Sequence, residues 1–132
     1  MIDVESYIFE RVFDKLNKAY PSIAITDEEL YTPPHLPCVS VILADSSRYE
    51  DGNDSSGKEN FTSIMVECSV YTEGKNKKKL GKEIFGVLDN EMAAIGINRT
   101  SYNVLTQYNS SINRIVARYT AICGKNNDFY WR

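Results

Sequence analysis

Arg114 and Arg118 lie four residues apart in the stretch SINRIVARYTAIC, Ser111 to Cys123. On a strand that spacing puts both cations on one face, and Ile115, Ala117, Tyr119 and Ala121 on the other. This is an arrangement for holding a partner rather than for breaking bonds. A second cationic group is KNKKK, which with Lys82 gives five lysines between positions 75 and 82. Lys75, Lys77, Lys78 and Lys79 fall where a helix should begin, against the sense of its dipole. No glycine-rich phosphate cradle accompanies them. A solvated helix end is their plain reading, and a rim facing DNA or an acidic partner is the functional one. The third group is the closing run Phe129, Tyr130, Trp131 and Arg132. Residues of these types are enriched at interface cores, and they serve equally well to anchor a chain end on its own core.

Catalytic and metal-binding constellations are harder to find. The single histidine, His35, sits inside TPPHLP, where nothing offers it a nucleophile to activate. The three cysteines, Cys38, Cys68 and Cys123, lack C-x-x-C spacing. All fall in strand patterns, where Cys behaves as a small buried hydrophobe. The loop EDGNDSSG resembles a calcium loop only superficially. Counted from Asp51, Ser56 stands where glycine is needed and Thr62 where glutamate is needed. Acid–base work needs two carboxylates held together. Asp89 and Glu91 are expected on the polar side of a helix, and Glu67 alone in a strand. The sequence therefore predicts a protein that is not an enzyme and carries no cofactor or metal.

Length and charge narrow the class further. A chain of 132 residues makes one domain, without need of disulfides. The formal net charge of -3 argues against a dedicated nucleic-acid binder. The sparse, odd cysteine count suits a reducing compartment. The acidic start, MIDVESYIFERVF, is unlike a signal peptide, and no apolar run approaches the ~20 residues of a membrane helix. The expectation is a protein made and folded in the cytosol, with no membrane partner.

Periodicity supplies the elements that must position these residues. Val4, Ile8, Val12 and Leu16 recur at helical spacing from Asp3 to about Tyr20, with Phe9, Phe13 and Tyr20 widening the stripe. Ser22–Thr26 reads as a short strand, followed by a proline-rich connection to Pro37. Cys38–Leu43 is a strand, and Ala44–Asn60 a long polar loop. In Phe61–Tyr71, the residues Ile64, Val66, Cys68 and Val70 share one face. Leu80, Ile84, Val87, Leu88, Met92 and Ile95 form a second helix, capped at Gly96. Arg99–Tyr108 and Ile112–Cys123 are the last strands. The expected fold is an α+β two-layer sandwich: a mainly antiparallel sheet of four to five strands, with both helices on one face. The other face carries Arg114, Val116, Arg118, Thr120, Glu67 and Ser69, a mixture that suits water or a partner subunit.

In this order the elements resemble the tail terminator, or tail completion, proteins of long-tailed phages, grouped with minor capsid and head–tail joining proteins. The resemblance runs over nearly the whole chain: LPCVSVILAD, then MVECSVYTEGKNKKKLGKEIFGVLDNEMAAIGI, then INRIVARYTAIC and the aromatic–Arg closure. It implies a virion protein at the head–tail junction, forming a ring, typically of six subunits. Such a ring caps the tail tube, docks to the head–tail connector and lets DNA pass without sequence readout. Its subunit or partner contacts are expected at Arg114 and Arg118, at Phe129, Tyr130, Trp131 and Arg132, and at Arg48, Tyr49 and Asp51 in the polar loop. The DNA-facing or acidic-partner rim is expected at Lys75, Lys77, Lys78 and Lys79. Another connector component, such as a head-closure or adaptor protein, is the near alternative. A small cytosolic α+β binding module is the distant one.

Overall fold

The computed structural model describes residues 4–28, 35–48, 61–106, 111–124 and 128–130. They form helix α1 (Glu5–Ala19), strands β1 (Ala24–Thr26), β2 (Cys38–Arg48) and β3 (Phe61–Glu73), helix α2 (Lys77–Ile95), then β4 (Asn98–Thr106), β5 (Ile112–Gly124) and β6 (Phe129–Tyr130). All six strands belong to one sheet, in the order β1-β2-β3-β5-β4, with β6 also beside β5. The α+β class is as expected, with more strands than the four to five foreseen. The one parallel pairing sets Ala24 beside Cys38. The others are antiparallel.

Strand β5 is the axis of the sheet. β3 pairs with it from end to end, Phe61 opposite Gly124 and Glu73 opposite Ile112. Its other edge is shared: β4 covers Asn113–Thr120, and β6 covers Ile122 and Cys123. Ile115, Ala117, Tyr119, Ala121 and Cys123 point into the core, beside Ile64, Val66, Cys68 and Val70 of β3. Each fully buried aliphatic side chain contributes roughly 1.5–3 kcal/mol.

Both helices lie on this face. α1 buries Ile8, Val12 and Leu16, while Phe13 is 39% exposed and does not join the stripe. α2 buries Ile84, Phe85, Leu88 and Met92. Gly81 lets it descend closely onto the sheet, since a Cβ there would come within 2.9 Å of Asn113 Nδ2. At its end, Ile97 N–H donates to Met92 O and Gly96 N–H to Ala93 O. This is a Schellman closure, with Gly96 at φ 104°.

Two expectations need correction. The polar loop does not begin at Ala44, because β2 continues through Arg48, with Asp45 opposite Met65 and Arg48 opposite Thr62. Backbone pairing with β3 holds this segment although its side chains lack apolar alternation, and a bulge at Ala44 marks where the pattern breaks. The remainder, 49–60, lies outside the described residues. Nor is Glu91 on a polar side of α2. It is 5% exposed, and its Oε1 accepts from Arg11 Nε at 2.8 Å. Arg11 also donates to Tyr7 Oη at 2.8 Å. A helix flanked by both a sheet and a second helix has little polar side left, and the sequence alone does not reveal the second neighbour.

Gly96 and Gly86 separate backbone strain from helix propensity. Gly96→Ala should lower the unfolding free energy by about 1 kcal/mol, because an L side chain resists positive φ. Gly86→Ala, where a Cβ meets nothing within 4 Å, should raise it by about 0.5–1 kcal/mol. Urea denaturation of the two variants beside the unaltered protein measures both shifts.

Candidate interaction surface

The sheet face away from the helices is built by alternation. Tyr71, Ser69 and Glu67 of β3 stand opposite Arg114, Val116 and Arg118 of β5. Ser101, Asn103 and Leu105 of β4 stand opposite Arg118, Val116 and Arg114 on the other side. Arg118 Nε donates to Glu67 Oε1 at 3.3 Å. In so exposed a pair the attraction adds at most about 1 kcal/mol to stability. Arg114 lies with its guanidinium carbon 5.2 Å from the Tyr71 ring centre and donates to Ser69 Oγ at 3.4 Å. Its Nε is buried without a hydrogen-bond partner. A shallow depression of about 420 Å³ separates this cationic row from Asn103 and Leu105. The predicted pairing of Arg114 and Arg118 on one face therefore holds, and each cation has an internal neighbour that fixes its direction.

The aromatic ending divides between the two faces. Phe129, opposite Cys123, turns to the helices and stacks on Tyr7 with ring centres 5.8 Å apart. Tyr130, opposite Ile122, turns to the helix-free face, is 51% exposed and meets Phe61 edge-on at 6.1 Å. Phe129 thus anchors the chain on its own core, and of the two described rings Tyr130 shares a face with Arg114 and Arg118. From Arg118 to Ile122, Tyr130's cross-strand neighbour, β5 runs about 13 Å. Arg48 closes β2 opposite Thr62. Tyr49, Asp51, Trp131 and Arg132 lie outside the described residues.

The lysine cluster sits at the opposite end of the sheet from Tyr130, at the turn from β3 into α2. Lys75, Lys78 and Lys79 are exposed and Lys77 is half-buried. Asn76 precedes the helix without a side-chain cap, and the first turn holds no acid. Thr72 Oγ1 donates to Lys77 O at 2.6 Å and ties this turn to β3. Lys78 and Lys82, one helical turn apart, border a hollow of about 260 Å³ lined by Tyr102, Val104, Asn113 and Ile115. Sequence spacing grouped these lysines with one another. Only the packing of α2 over β5 sets two of them beside β4.

Among the described residues, several side chains with the chemistry of catalysis are engaged in packing or pairing. Tyr119 Oη donates to Asp89 Oδ1 at 2.8 Å, and Arg99 lies 3.9 Å from the other carboxylate oxygen. Burial, then the bond to Asp89, pushes the Tyr119 hydroxyl well above the usual phenol range. Asp89 was expected on the polar side of α2 and instead links that helix to β5 and β4. Its signal in the sequence was indirect: a tyrosine at a core position of β5 needs an acceptor. Burial raises the Cys68 thiol, with Glu67 and Asp89 adding to the effect, and burial likewise raises Cys38. Both remain protonated, and therefore poor nucleophiles, at neutral pH. His35 Nε2 lies 3.2 Å from Ser22 O. Among the described residues no three His, Cys, Asp or Glu side chains converge to hold a metal, and no helix is long and apolar enough to cross a membrane.

Comparison with protein-family models and with the curated proteins finds no match for this chain.

The buried thiols give a direct check on the packing. In the native protein Cys38, Cys68 and Cys123 should react with a disulfide reagent far more slowly than a free thiol. All three should react at once in denaturant. A stoichiometric thiol titration with and without guanidinium reads the difference.

Proposed function

We propose that this protein is a structural virion component of the tail-terminator kind: a ring-forming subunit that caps a completed tail tube and joins it to the head connector, with DNA passing through the ring. The observation that carries this reading is the one-sided sheet. The helices cover a single face, and the other presents Arg114, Arg118, Val116, Leu105 and Tyr130 together. A mixed face of that kind suits a protein partner better than a second core. The reading also draws on the resemblance seen in the order of the elements along the sequence. A related reading, another head–tail connector component, rests on the same face. A small binding module is favoured only by the hollow beside Lys78 and Lys82.

Light scattering over a concentration series, with electron imaging of the largest species, tests the ring. Closed rings of about six subunits with a central hole are expected, alone or on added tail-tube protein. A stable dimer that neither closes nor joins the tube overturns the reading. The DNA passage makes its own prediction: a pore should hold phosphate weakly. DNA binding by the isolated protein should be weak and vanish at physiological salt. Tight binding that is abolished by Lys75→Gln, Lys77→Gln, Lys78→Gln and Lys79→Gln together would show a nucleic-acid binder instead.

A further inference from the structure

Among the described residues, three of the five exposed large hydrophobic side chains, Tyr102, Val104 and Leu105, lie on one edge strand. Val104 is 49% exposed and Leu105 42% exposed. They are consecutive in β4, so they point to opposite faces. A partner lying on either face would cover one and leave the other. A strand added along the edge flanks both. Among the described residues β4 has no strand on its outer side. The first half of β4 is guarded, by a bulge near Thr100 and by Arg99 lying 5.8 Å from the Phe85 and Tyr102 ring centres. The second half has no such guard, which is unusual for an edge strand.

The opposite edge offers a complement. β1 covers β2 only from Cys38 to Ser40, so among the described residues the outer side of Val41–Arg48 is also unpaired. There Ile42 and Leu43 are half-buried and again face opposite ways. Leu43 shares the helix side with Val66, and Ile42 the helix-free side with Glu67. Val104 stands on the helix side and Leu105 on the free side. One antiparallel register sets Val104 against Leu43 and Leu105 against Ile42, matching faces at both positions.

Charge and direction agree. Near β4, Arg99 and Arg118 are held by Asp89 and Glu67. Lys78, Lys82 and Arg114 have no acidic partner among the described residues. Asp27 and Glu28 follow β1, and β2 carries Asp45 and, at its far end, the basic Arg48. Pairing β4 with a second β4 would bring only like charges together, whereas the β2 side offers the carboxylates of Asp45, Asp27 and Glu28. Counting antiparallel steps across β2, β3, β5 and β4, the two edge strands run in opposite directions. Copies repeated with the same orientation therefore meet antiparallel, with their helices on one common side.

We propose that a second copy of this chain docks edge to edge, β4 of one subunit adding to the outer edge of β2 of the next, so that the sheets continue from subunit to subunit. The contact uses two different surfaces, so it propagates and closes only as a ring. This inference rests on the ring-forming reading above and names its interface.

Cysteine cross-linking tests it. Ile42→Cys and Leu105→Cys are placed together in one chain, and each alone in a control, and joined by mild oxidation with and without tail-tube protein. The double variant should give a ladder of covalent multimers and neither single variant should. Dimers from Leu105→Cys alone would mean that β4 pairs with itself, and would overturn the proposal. No ladder from the double variant overturns it too. If electron imaging still shows rings of that variant, the ring reading survives with a different interface; if none form from the unaltered protein, both fail. In parallel, Val104→Lys with Leu105→Lys should keep the circular dichroism spectrum and melting temperature of the unaltered protein but lose its assemblies. Assembly undiminished in that folded variant would overturn the edge contact.

Discussion

Alternate side chains of β5 point to opposite faces of the sheet, and the observed pairing buries Ile115, Ala117, Tyr119 and Ala121 while keeping Arg114 and Arg118 out of the core. A slip of one residue would exchange the two sets. The polar end of Tyr119 tightens this constraint. Its hydroxyl is buried, and a buried hydroxyl without an acceptor costs about 1–3 kcal/mol. Asp89 on α2 supplies the acceptor, with Arg99 of β4 beside it. The register of β5 therefore also sets where α2 lies and how β4 begins. The Arg11–Glu91 pair carries the same positioning on to α1.

One face of the sheet is thus specified by apolar packing and the other largely by polar contacts. The helix side holds the aliphatic core, the Schellman closure at Gly96 and the Phe129–Tyr7 stack. The free side holds Arg118–Glu67, an exposed pair that adds little to folding, and Arg114 over Tyr71, where Tyr71, Ser69, Ser40 and Cys38 are buried. Arg118, Leu105 and Tyr130, the exposed members of this side, stand where substitution is tolerated by the fold and felt by a partner.

The interaction elements are spread out along the sheet. Lysines gather at the turn from β3 into α2, Tyr130 lies toward the other end of β5, and the apolar pair Val104–Leu105 lies on the β4 edge. The hollow beside Lys78 and Lys82 reaches Val104, while Leu105 and Tyr130 lie outside it. An arrangement with separate ends and separate edges suits a subunit that contacts several neighbours at once, as the proposed ring at the head–tail junction requires.

The sequence by itself determined the two helices, the core strands and the side on which Arg114 and Arg118 would fall, because hydrophobic periodicity is a local property of the chain. It also determined Gly96 as a helix end, since left-handed backbone there needs glycine. It could not extend β2 past Leu43, because Ala44–Arg48 is held by hydrogen bonds to β3 rather than by apolar side chains. It misplaced Asp89 and Glu91, whose neighbours come from β5 and α1, distant in sequence. It left Phe129 and Tyr130 undivided, because only the pairing of β6 with β5 turns one ring inward and the other out. Which lysines meet β4, and which strands become edges, was likewise decided by tertiary structure: an edge is defined by the neighbour that is missing, and strand order is not written in the spacing of residues along one chain.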